Sequence, residues 1–296
     1  MSTAPTAIAE LHVEPTEPLL GWRDSVARML GNASIVGGGL VVLLLVLLAV
    51  VGPHVWGISP SNEDALRLTA PSWAHPFGTD DLGRDEFARI MQGAQVSLEV
   101  GVLAVLIALV AGLLIGVTAG VAGGIVDGAL MRVVDTLFAF PGLVLAILMA
   151  GLLGPSQLNA TVTIGVVFSP GFARVARGTT LGVMASPFVE ASRSLGARPW
   201  RIVRRDVLPN IAPPMITVTV IYISSAILLE AGLSFLGLGI QPPTASWGNM
   251  ISSARTYMQL AWWMPVFPGV AIALAVIGFN FLGDGLRDLI DPRSER

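Results

Sequence analysis

Apolar, uncharged stretches of membrane-crossing length recur along the chain, and short segments between them gather most of the charge. A helix that crosses a bilayer needs about 20 such residues, because the hydrocarbon core is about 30 Å thick and each residue adds about 1.5 Å. On this reading the first span runs from Ile35 to Val51 and the second from Val96 to Val121. The uncharged run from Thr136 to Ala173 is too long for one crossing, and Gly154-Pro155-Ser156 puts a turn inside it. It divides into spans at Thr136–Leu153 and Leu158–Phe172. A fifth span covers Ile211–Leu229 and a sixth Trp263–Leu282. Gly232–Gly248 is also uncharged, but Gly237, Gly239, Pro242 and Pro243 make it an exterior loop or re-entrant turn. The pattern predicts an all-α membrane protein with six transmembrane helices.

Between the spans the chain divides into four regions. Residues 1–32 read as a cytoplasmic tail, aperiodic to residue 20; Trp22, Val26, Met29 and Leu30 then share a face, as in an interfacial helix or a polar lead-in. Residues 33–95 hold the first span and an exterior segment, 96–290 a five-helix core, and 291–296 a cytoplasmic end. Orientation follows the arginines. Seven of the 17 basic residues lie between Arg174 and Pro209, which makes that loop cytoplasmic. Both termini are then cytoplasmic, in keeping with Arg287, Arg293 and Arg296. The 53–95 segment carries six acidic residues against three arginines and falls outside.

Two local patterns stand out. In the second span Gly112, Gly116, Gly120, Gly124 and Gly128 recur every four residues, which lines them up on one helix face where a neighbouring helix can approach closely. In the arginine-rich loop, Ser186 is placed as an N-cap, Pro187 fits the first helical turn, Glu190 lies near the positive end of the helix dipole, and Gly196 suits the left-handed position that ends a helix. Arg198, Arg201, Arg204 and Arg205 follow, where they can hold headgroups. These residues describe either an amphipathic connector or a docking element.

Composition removes most chemistry. The chain is 53% hydrophobic and 12% charged, without cysteine and, on inspection, without lysine. Thiol nucleophiles, iron–sulfur clusters, a Gly-Lys-[Ser/Thr] phosphate loop and Schiff-base chemistry are thereby excluded. His12, His54 and His75 form no His-Glu-x-x-His pair, and Gly232-Leu233-Ser234 lacks both the rest of a serine elbow and a histidine in any span. Phe281-Leu282-Gly283-Asp284 departs from the Gly-x-Gly-Asp of aspartyl intramembrane proteases. Glu99, Asp127, Arg132, Asp135 and Glu230 all fall near span ends, where snorkelling or local pairing accounts for them. The acids of Phe77–Asp85 miss the calcium-loop spacing and read as a tight turn feeding an interfacial helix. No metal site, cofactor site or nucleotide site is expected on this chain.

The docking loop then acquires a family resemblance. Glu190-Ala191-Ser192-x-x-x-Gly196 with Val207-Leu208-Pro209 resembles the EAA motif of bacterial ABC importer permeases, with Ser192 in place of the motif's second alanine. Four further stretches resemble the oligopeptide/dipeptide/nickel branch, second-permease type: His75–Asp85, Ala173–Gly178, Ser234–Pro243, and Gly283–Asp288 with Asp291-Pro292-Arg293. The resemblance implies a type I ABC importer permease fold in the bacterial plasma (inner) membrane. It implies four sorts of partner: a second homologous permease in a heterodimer, two cytoplasmic ABC ATPases that hold ATP and Mg, an extracytoplasmic substrate-binding protein, and lipid, with no nucleic acid. It assigns ATPase coupling to Glu190, Ala191, Ser192, Gly196, Leu208 and Pro209, and transport of di- or oligopeptides by alternating access. Nickel or glutathione is the alternative cargo. An ATP-independent channel or secondary carrier is the reading from another class.

Overall fold

The computed structural model describes residues 28–290, and from Ala33 onward eleven helices, named here in chain order, make it up. They are α1 (Ala33–Val50), α2 (Gly52–Trp56), α3 (Glu86–Ala122), α4 (Gly124–Phe138), α5 (Gly142–Leu153), α6 (Gln157–Met184), α7 (Pro187–Ser194), α8 (Pro199–Ile202), α9 (Leu208–Phe235), α10 (Trp247–Ala254) and α11 (Trp263–Ile290). A π turn, Val203–Val207, joins α8 to α9. The expected tail and most of its interfacial helix, like Arg293 and Arg296, lie outside the described residues.

Five segments are long and apolar enough to cross a membrane: α1, α3, α6, the continuous run Pro199–Phe235, and α11. A sixth crossing exists if α4 and α5 count as one broken span, for the two meet at 89°. The expected straight span Thr136–Leu153 is therefore corrected. Pro141 has no N–H to donate and disfavours helical backbone at Phe140, so the helix stops there although nothing in the hydropathy changes. At the other end, Gly123 and Gly124 take positive φ (63° and 53°) and separate α4 from α3.

The second span also differs from expectation. It begins at Glu86, ten residues before Val96, and runs for 37 residues, about 55 Å. The expected interfacial helix is its first turns. Asp85 caps it by accepting the Ala88 N–H at 2.7 Å. Most of the charges around this start are buried in pairs: the Arg84 Nε donates to Asp80 at 2.6 Å, and Arg89 lies 3.5 Å from the same carboxylate, while the Glu86 Oε2 is buried with no hydrogen-bond partner among the described residues.

What holds the bundle is the seam between α3 and α6. A methyl group placed on Gly112 would come within 2.8 Å of the Ala173 nitrogen, one on Gly116 within 2.7 Å of the Ala176 Cβ, and one on Gly120 within 2.7 Å of the Thr180 Cγ2. The α6 side of the seam is likewise built from small residues. Gly124 and Gly128 lie past the turn at Gly123, with nothing within 4 Å, so the seam ends at Gly120 and both residues drop out of the row. A second close approach, between α1 and α11, uses Gly38 against the Gly278 carbonyl (2.6 Å from a built Cβ).

Three charged residues are placed differently from the sequence reading. Arg174 and Arg177 belong to α6, not to the loop after it, and reach back to α4. Arg177 donates twice to Asp127 (2.5 and 2.6 Å) and Arg174 to Asp135 (2.8 Å). Glu230 is fully buried instead of snorkelling. It accepts from the Ser97 hydroxyl of α3 at 2.9 Å and from Ser234 at 2.7 Å, and Ser234 in turn accepts the Ile240 N–H at 3.0 Å. The Gly232–Gly248 stretch thus completes α9, turns back through a cis Pro242–Pro243 bond and enters α10 through a Ser246/Asn249 capping box. The Trp247 indole donates to the Ile90 carbonyl (3.2 Å), which ties this re-entrant cap to α3.

The seam gives two substitutions opposite signs. Gly116→Ala should cost about 1–3 kcal/mol through overpacking. Gly128→Ala, in an open helical position, should be neutral or stabilise by up to about 1 kcal/mol through helix propensity. Thermal unfolding of the purified protein in detergent checks both.

Candidate functional site

The arginine-rich connection shrinks to the residues between α6 and α9. Ser186 adopts the extended backbone of an N-cap (φ −77°, ψ 144°), but its hydroxyl donates to the Gly182 carbonyl (3.2 Å) and makes no cap bond to α7. Entry into α7 therefore relies on Pro187, whose ring presets the first helical φ. The exit is fully specified. Gly196 takes φ +79°, its N–H donates to the Arg193 carbonyl at 2.9 Å, and the Ala197 N–H donates to the Ser192 carbonyl at 3.0 Å. This pair of bonds is the Schellman end, and any side chain at Gly196 would be strained.

The short helix has two working faces. Val189 is fully buried and packs in the same core as Ile202, Val207 and Phe172. The element is thus plugged into the span bundle and cannot swing as a loose loop. The other face is apolar and open. Phe188, Ala191, Ser192 and Leu195 follow the i, i+3, i+4, i+7 spacing of one helical stripe. Phe188 and Leu195 are 47% and 88% exposed, and beyond the turn Trp200 is 70% exposed. Glu190 stands beside this stripe, and Arg193, Arg198 and Arg201 surround it, all exposed.

Of the residues singled out in the sequence, Glu190, Ala191, Ser192 and Gly196 share this one element, and three are exposed, with Ser192 half-buried. Leu208 and Pro209 are elsewhere, on the exposed first turn of α9 across the π turn. Phe188, Leu195 and Trp200 were missed. Their signal was present as an apolar stripe on a helix otherwise made of polar residues. Such contiguous exposed apolar surface rimmed by charge marks a protein-interaction site. Its groups offer shape and charge to a partner, not bond chemistry.

Residues 112–296, which take in the seam, this element and everything after it, match the family described as "Binding-protein-dependent transport system inner membrane component". The chain belongs to that family. It is a multi-pass inner-membrane permease of an ABC importer. Relatives include the probable D,D-dipeptide transport system permease protein DdpC of Escherichia coli, 41% identical over 89% of this chain and 89% of its own length. The glutathione transport system permease protein GsiD of Pectobacterium atrosepticum is 40% identical over 92% and 91%. The di/tripeptide transport system permease protein DppC of Pseudomonas aeruginosa is 41% identical over 99% and 97%. Among solved structures, an inward-facing form of the MetNI methionine ABC transporter superposes with a TM-score of 0.55 at 21% identity, over 68% of this permease and 96% of that chain. That likeness establishes the type I importer permease fold.

If Gly196 is what ends α7, Gly196→Ala should fray that end by forcing a Cβ into left-handed backbone, at about 1–2 kcal/mol. Faster hydrogen–deuterium exchange of the Leu195–Ala197 amides, with α3 and α6 unchanged, is the expected result.

Proposed function

We propose that this permease forms half of the pore of an ATP-driven importer of short peptides, and that α7 is where force from a cytoplasmic ATPase enters it. One observation carries the coupling reading: α7 is rigidly plugged into the span bundle on its Val189 face and presents an open apolar stripe flanked by Glu190 on the other. A helix so held transmits displacement in place of absorbing it. Glu190 offers a carboxylate to a cation on the ATPase. Ala191 and Ser192 keep the stripe shallow for close approach, and Gly196 ends it sharply. Leu208 and Pro209 start the rod that continues the movement into the membrane.

The assembly comprises a second homologous permease, two ATPases that bind ATP and Mg, and an extracytoplasmic protein that delivers cargo, while this chain itself hydrolyses nothing. With the α7 side cytoplasmic, both termini are cytoplasmic too. Peptide cargo follows from the di- and tripeptide systems among the relatives. Glutathione, carried by the system of another relative, and nickel are the alternatives.

The test is uptake by the assembled complex in proteoliposomes. Glu190→Arg should lower uptake at least about tenfold, since a misplaced charge in an interface costs several kcal/mol and each 1.4 kcal/mol is a factor of ten. Gly196→Asp should act likewise, both with normal membrane insertion. Normal uptake by the two variants would remove the coupling reading. Comparing dipeptide, glutathione and nickel as stimulators of ATPase activity decides the cargo.

A further inference from the structure

The break between α4 and α5 sits at an unusual depth. α5 has 12 residues, about 18 Å of helix, against a hydrocarbon core of about 30 Å. Ala139, Phe140 and Pro141 therefore lie within the hydrocarbon depth, and all three are exposed on this chain. Non-helical backbone at that depth is stable only where protein covers it or water reaches it, so this face does not look onto lipid.

Beside the break is a cavity of about 210 Å³. Phe138 and Phe140 line it from the break, Phe168 and Gly171 from the middle of α6, and Tyr222 from the middle of α9. Gly171 makes room for the tyrosine, since a methyl group there would fall on the Tyr222 hydroxyl. Phe172 meets the Tyr222 ring edge-on at 4.9 Å and Phe168 lies 5.2 Å from it, which fixes its direction. The carbonyl that Pro170 frees, that of Val166, is taken by the Ser169 hydroxyl at 2.9 Å. The Tyr222 hydroxyl has no hydrogen-bond partner among the described residues. The cavity is therefore an aromatic box with one polar handle, the usual make-up of a small-ligand site.

Volume decides what fits. An apolar cavity of about 150 Å³ accepts benzene, and whole-ligand pockets begin near about 300 Å³. The space suits a single aromatic or branched side chain and excludes an entire peptide.

We propose that this cavity is a subsite on the translocation path that takes one apolar side chain of the passing peptide, with the Tyr222 hydroxyl donating to a peptide carbonyl. The proposal rests on the peptide-importer reading above. A box of this size gives a grip that discriminates among side chains, since one group in an apolar pocket changes rates about 10- to 200-fold.

The test uses the complete reconstituted importer and two cargoes, dialanine and phenylalanyl-alanine. Gly142→Leu fills the cavity without a backbone clash, since a Cβ there meets only the Val167 Cγ1 at 3.5 Å. It should lower phenylalanyl-alanine uptake about tenfold relative to dialanine. Phe168→Ala, which widens the same space, should move the ratio the other way, and Tyr222→Phe should slow both cargoes by the same factor. Basal ATPase activity reports intact assembly in each variant. An unchanged ratio in both Gly142→Leu and Phe168→Ala overturns the subsite. So does a phospholipid seen by native mass spectrometry on the wild type and lost from Gly142→Leu with the ratio constant, which would assign the cavity to lipid. A wild-type complex driven by nickel or glutathione and by neither dipeptide removes the peptide reading, and the subsite with it.

Discussion

The approach of α3 to α6 sets the position of everything that follows in the chain. Inside a bilayer the apolar side chains of two helices gain nothing by leaving lipid for each other, so association rests on van der Waals contact and on how near the backbones can come. Gly112, Gly116 and Gly120 bring them near, and Ala173, Ala176 and Thr180 answer from the other side. Once α6 is fixed, its C-terminal half carries Arg174 and Arg177 to the carboxylates that hold α4. Three residues beyond its end, Pro187 starts α7. The broken span and α7 are both hung from that one contact.

How much of this was visible in the residues depends on how far each cause reaches along the chain. The glycine row and the caps of α7 are local, and their spacing alone indicates a close helix face and a bounded helix. The seam's lower limit was not, because Gly124 continues the i+4 rhythm while the positive φ at Gly123 breaks the geometry. Charge was the weaker guide. Arg174 and Arg177 looked like loop residues because their partners, Asp135 and Asp127, lie 39 and 50 positions earlier. Glu230 looked like a residue at an interface because its donor Ser97 is 133 positions away. Glu86 and Arg89 pushed the expected start of α3 inward, although Arg89 is buried against Asp80 and Glu86 is buried without any such partner among the described residues. The kink in the third span had a local mark, Pro141, overshadowed by the uninterrupted apolar run around it.

The chain also shows two ways of making irregular backbone acceptable. At the Gly232–Gly248 cap, side chains take up freed backbone groups: Asn249 alone donates to the Ile240 and Thr244 carbonyls and accepts from Ser246. At the α4–α5 break, the Ala139 and Phe140 N–H groups are bonded within the chain, but Ala139, Phe140 and Pro141 stay exposed. The first is a finished structural joint. The second is a surface waiting for protein or water.

The run Pro199–Phe235 is 37 residues of continuous helix, about 55 Å, opening with α8 beside α7 at one end, with the Glu230–Ser234–Ile240 bonds clamping the re-entrant cap at the other. A helical run of that length converts angle into travel, even with the π turn Val203–Val207 and the interior Pro213 and Pro214 within it. A tilt of about 10° about its midpoint carries each end about 5 Å, in opposite directions. Because its two ends are held by different neighbouring elements, a displacement of a few ångströms at one end would be matched by an opposite one at the other, a seesaw built from a single span.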